Sequence, residues 1–77
     1  MYTNDAIRHM CDVSGKGSTI VSRDIGRVSS FVGTILSRGS VPKADTLAEI
    51  AEACGYQLAL IGHDEKIVIE YEPRRNG

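Results

Sequence analysis

A mainly α-helical domain closed by a C-terminal β-hairpin is the fold class this sequence predicts, on three observations. Apolar residues recur at helical spacing in four short segments between residues 4 and 54. Breaks containing glycine separate them: "SGKGS" at 14–18, Gly26, "RGSVP" at 38–42 and Gly55. From Tyr56 onward the apolar period shifts from that of a helix to that of a strand. With 77 residues the chain is one domain. A domain of this size buries only about 60% of the surface of its unfolded chain, so a second copy is a natural source of further burial.

The first helix is expected over residues 4–14, capped by Asn4 or Asp5, with Ile7, Met10, Cys11 and Ser14 on one face. The second, 18–25, takes Ser18 as its N-cap, sets Val21 and Ile25 together and ends at Gly26, where the chain can turn left-handed. The third, 29–37, has Val32, Ile35 and Leu36 as its apolar stripe with Phe31 at the margin. Its other side is Ser29, Ser30, Gly33, Thr34 and Ser37. Gly and Thr are poor helix formers, so packing must hold this helix. The fourth, 43–54, follows Pro42, turns Leu47, Ile50, Ala51 and Cys54 inward and stops at Gly55. "YQLALIG" and "KIVIEYE", joined through "GHDE", read as two strands of a hairpin. The chain thus divides into a helical part, 1–55, a hairpin, 56–72, and a tail, 73–77.

The net charge is −1, yet the charges are unevenly spread. Residues 1–43 hold Arg8, Lys16, Arg23, Arg27, Arg38 and Lys43 against Asp5, Asp12 and Asp24, a net of +3. The remainder carries −4, which predicts a basic working end and an acidic remainder. "MYTNDAIRHM" has no basic region leading into an apolar core, and "LALI" and "IVI" are too short to span a bilayer, so a cytoplasmic protein without membrane contact is expected. Cys11 and Cys54 fall on inward faces and are expected as buried reduced thiols. "HMC" has no second ligand pair at metal spacing. No phosphate-cradling loop, paired carboxylates or nucleophile–base spacing points to an enzyme or a cofactor.

Residues 18–37 meet a demanding pattern. A pair of short helices held at a fixed angle needs a small residue at the contact, a glycine in the turn and apolar residues on both buried faces. Ser22 takes the contact position, Gly26 the turn, and Val21, Ile25, Val32 and Ile35 the buried positions. Arg27 stands where an apolar residue is usual.

On these residues, and on "PKADTLAEIAEACG" at 42–55, the chain resembles the Cro/repressor (XRE-type) helix-turn-helix family of phage and bacterial regulators. "IVSRDIG" is similar to the family's first motif helix and turn, and "FVGTIL" to the core of its recognition helix. The likeness covers roughly residues 7–55 and implies a lambda-repressor-like four-helix domain. The hairpin stands where the family's usual fifth helix would be, and is reminiscent of the C-terminal β structure of Cro proteins.

The resemblance implies a homodimer that binds operator DNA through the major groove and represses transcription. It assigns base contacts to Arg27, Val28, Ser29, Ser30, Gly33, Thr34 and Ser37, and phosphate contacts to Ser18, Thr19, Arg38 and Lys43. Small residues on the outward face let the helix backbone approach base edges closely, and their hydroxyls can donate or accept there. Two modules would read half-sites roughly 34 Å apart. The hairpin is apolar on both faces; Leu58, Leu60, Ile67 and Ile69 are expected to cover the helices, and Ala59, Ile61 and Val68 to meet a second copy. A second reading of the same residues is an antitoxin, in which the acidic half and the hairpin bind a protein toxin while the helical part represses its own operon.

Overall fold

The computed structural model describes residues 1–71. The expected tail 73–77 and Glu72, the last residue of the expected hairpin, lie outside the described residues. Four helices, α1 (Thr3–Ser14), α2 (Gly17–Asp24), α3 (Phe31–Arg38) and α4 (Ala44–Ala53), are followed by an antiparallel pair, β1 (Leu58–Ile61) and β2 (Lys66–Ile69). The expected mainly helical domain with a C-terminal hairpin is therefore observed.

Each helix supplies at least one side chain to a single core. Ile7, Met10 and Cys11 come from α1, Val21 from α2, Val32 from α3, and Ile50 and Ala51 from α4, with Ile25 and Cys54 closing it from adjoining turns. Ile7, Val21, Val32 and Ile50 are fully enclosed. Burial of each contributes about 1.5–3 kcal/mol relative to exposure. Helix α2 lies at the centre, touching the other three.

The boundaries shift for local reasons. Helix α1 begins at Thr3, so Asn4 lies inside it and neither Asn4 nor Asp5 caps; the chain enters extended at Tyr2. Helix α2 begins at Gly17, which places Ser18 in its first turn rather than at the N-cap. Helix α3 begins two residues later than expected, because a turn closed by the Phe31 N–H on the Val28 carbonyl (3.0 Å) occupies Val28–Ser30. Helix α4 starts after Lys43, and Tyr56 packs against the core instead of opening a strand, its N–H donating to the Ala51 carbonyl at 2.8 Å.

Leu58 pairs with Ile69, Ala59 with Val68, Leu60 with Ile67 and Ile61 with Lys66. Among the described residues, α4 is the only helix that touches the hairpin strands. Leu58 and Ile69, at the base, are half-buried there, whereas Leu60 (59% exposed) and Ile67 (48%) run past it toward the turn. The expected cover of the helices is thus confined to the base of the hairpin. On the opposite face Ala59 is half-buried, Val68 sits at the margin of exposure and Ile61 is 82% exposed.

Candidate nucleic-acid interface

The geometry of α2 and α3 is set at Ser22 and Gly26. Gly26 adopts φ 75°, a left-handed conformation that favours glycine, and the chain reverses there with the Arg27 N–H on the Ser22 carbonyl at 2.9 Å. Ser22 has no exposed surface. Its hydroxyl donates to the Ser18 carbonyl one turn earlier (2.7 Å) and accepts the Val32 N–H (2.9 Å). The latter is one of the amides that the first turn of a helix leaves without an internal partner. A side chain of α2 therefore caps α3, and a longer residue could not fit at this contact.

The turn and α3 project an exposed set of small groups. Val28 (72% exposed), Ser29, Ser30, Thr34 and Ser37 are all at the surface. Among the described residues the hydroxyls of Ser29, Ser30 and Thr34 make no hydrogen bond, while that of Ser37 donates back to the Thr34 carbonyl at 3.2 Å. Gly33 is half-buried and turned toward α2: a Cβ there would lie 3.7 Å from the Ser18 Oγ. Gly33 and Ser18, expected to touch bases and phosphate respectively, are thus neighbours. Thr19, Arg38 and Lys43 are exposed.

Arg27 fills its apolar position with its aliphatic stem. It is half-buried, its guanidinium 4.4 Å from the centroid of the Phe31 ring, and its Nε is enclosed without a hydrogen-bond partner among the described residues. The other basic residues divide into engaged and open ones. Lys16 Nζ donates to Asp24 (2.9 Å) and to the Ala53 carbonyl (2.7 Å), tying the α1–α2 loop to the end of α4. Arg8 donates to the Leu36 carbonyl at 3.3 Å and lies 3.9 Å from Asp5. Sequence reasoning missed the tether from Lys16, whose carbonyl partner is 37 residues away. It also missed the support Phe31 gives Arg27, which stands in the turn before α3, where helical spacing does not apply.

Cys11 and Cys54 are both buried and free, as expected. Burial, with the neighbouring Cys54 thiol adding to it, pushes the Cys11 thiol up to about 11. No helix among the described residues is long and apolar enough to cross a membrane. The chain matches no protein-family model, no curated protein and no solved structure.

Proposed function

We propose that this chain is a lambda-repressor-like helix-turn-helix transcriptional regulator of the cytoplasm, which binds double-stranded operator DNA as a homodimer and performs no chemistry on it. The observation that carries this reading is the α2–α3 pair, locked through Ser22 and Val32, with Val28, Ser29, Ser30 and Thr34 exposed at the leading end of α3. A helix whose projecting groups are this short can bring its backbone close to base edges in a major groove. Arg38 and Lys43, both exposed, stand at the far end of α3 and just before α4, where phosphates would flank such a helix. Thr19 and Ser18 at the start of α2 meet the backbone on the other side, where the free N–H groups of the helix favour an anion.

Ile61 and Val68 support the homodimer, since an apolar hairpin face left in water favours a partner. The same exposure favours the antitoxin reading, in which the partner is a protein toxin. Fluorescence anisotropy of the full chain on DNA from just upstream of its gene, against scrambled DNA and at two salt concentrations, tests the proposal. Tight, salt-sensitive binding that prefers the upstream DNA is expected. Equal weak binding to both would overturn the regulator reading in favour of the protein-binding one.

A further inference from the structure

We propose that Phe31 positions Arg27 so that its two terminal nitrogens read the major-groove edge of a guanine, making this pair the chief source of base discrimination; the inference rests on the DNA-binding reading above. The guanidinium stands over the Phe31 ring at 4.4 Å, and Phe31 is itself packed against the core, so the platform is fixed. Nε is enclosed. With that N–H turned inward, the side-on fork of the guanidinium is closed, and the end-on pair Nη1 and Nη2 is what a partner can meet. A half-buried cation with an unpartnered N–H is costly, and the ring offsets only part of that cost.

Among the described residues nothing uses the remaining fork. Among the described residues, the ion pairs involve Arg8 and Lys16, and no carboxylate pairs with Arg27. Arg8 and Lys16 are committed to carbonyls of the helices, and Arg23, Arg38 and Lys43 are exposed on flexible stems. Lys66 is likewise exposed, so among the described residues Arg27 is the cation that is both held in place and without an ion-pair partner. Its neighbours Ser29, Ser30 and Thr34 offer hydroxyls that can donate or accept at any base edge and so discriminate little. Two parallel donors match the paired O6 and N7 acceptors of guanine, whereas adenine opposes one of them with a donor. A phosphate could also take the fork, but it would do so at every sequence.

The test starts from duplexes that the full chain selects out of a random-sequence pool. Wild type, Arg27→Lys, Phe31→Leu and Phe31→Tyr are then compared by anisotropy on the selected duplex and on versions carrying 7-deazaguanine at each guanine in turn. One guanine per half-site is expected at which 7-deazaguanine weakens wild type roughly tenfold or more. Arg27→Lys, which keeps the charge and loses the fork, should ignore that replacement. Phe31→Leu should lose most of the sensitivity and Phe31→Tyr should keep it, with the salt slope the same in all four. If Phe31→Leu does not fold by circular dichroism, Phe31→Met takes its place. A wild type indifferent to every replacement, or an Arg27→Lys that responds as wild type does, overturns the inference and leaves the DNA-binding reading standing. So does an Arg27→Ala that lowers the salt slope by about one while selecting the same sequence, which makes the arginine a phosphate contact. A wild type that enriches no duplex overturns the DNA-binding reading, and the inference with it.

Discussion

The hydroxyl of Ser22 accepts the amide of Val32 at 2.9 Å, and among the described residues this is the only hydrogen bond between α2 and α3. The α2–α3 pairing thus adds one buried hydrogen bond to the apolar contact of Val21, Ile25 and Val32. Ser22→Ala leaves the Val32 N–H enclosed without an acceptor, which costs about 1–3 kcal/mol. A thermal melt followed by circular dichroism should show the midpoint falling by roughly 4–8 °C for each kcal/mol. An unchanged midpoint would mean that apolar packing alone fixes the pair.

Gly33 separates stability from function. A Cβ there meets only the Ser18 Oγ, at an ordinary contact distance of 3.7 Å, and alanine is the better helix former by about 1 kcal/mol. Gly33→Ala should therefore raise the melting midpoint by several degrees. If the glycine is there to let DNA approach, the same variant should bind operator DNA more weakly. A variant that is both more stable and equally tight would remove Gly33 from the interface.

Salt dependence sorts the basic residues. Arg38→Ala and Lys43→Ala should each lower the slope of log affinity against log salt by about one. Lys16→Met should leave that slope unchanged, because its ammonium is held by Asp24 and the Ala53 carbonyl. Its loss should appear in stability instead, and modestly, since the ion pair with Asp24 is substantially exposed.

The hairpin face gives a concentration-dependent prediction. Ile61→Asp places a charge on a side chain that is already 82% exposed, so the monomer fold should be unaffected. Light scattering should nevertheless shift from dimer to monomer, and DNA affinity should fall with it. A wild type that is monomeric at high micromolar concentration would remove the dimer.

Alkaline titration probes the core. Burial and Cys54 raise the Cys11 thiol from 9.0 to about 11, so the unfolded chain gives up this proton first. The contribution to stability is therefore complete below about pH 9 and is lost as pH rises toward 11. Urea midpoints for wild type and Cys11→Ala at pH 8, 9 and 10 should converge as pH rises. Parallel curves would mean that the thiol titrates normally.

The helices and the hairpin were legible because periodicity alone encodes them: Ile7, Met10 and Cys11, or Leu47, Ile50 and Ala51, mark a buried face wherever the partner lies. The small contact at Ser22 and the turn at Gly26 were legible as well, since only small residues suit those positions. The start of α3 was not, because serine is at home both in a turn and in a first helical turn, and the Phe31–Val28 bond that decides between them leaves no mark in composition. The fate of Lys16 was equally hidden, being fixed by a carbonyl brought near only by folding. At Arg27 the apparent mismatch was itself the signal: an arginine in an apolar slot has to lay its stem down and turn its head somewhere, and Phe31 is where it rests.

Among the described residues the hairpin strands contact the helices through α4 alone, which makes the molecule modular. Under the proposed function, the end that reads DNA and the end that assembles meet, among the described residues, through α4 and the Tyr56 turn that follows it, so either could change with little redesign of its counterpart. A new loop or a longer strand would alter how far apart two copies stand, and hence the spacing of sites they could span together, while leaving untouched what each copy recognises. Conversely, a graft of α2 and α3 from a relative would carry its own specificity onto the same spacing. Under that reading, such a chain could diversify its targets along two independent axes, the word and the gap between words.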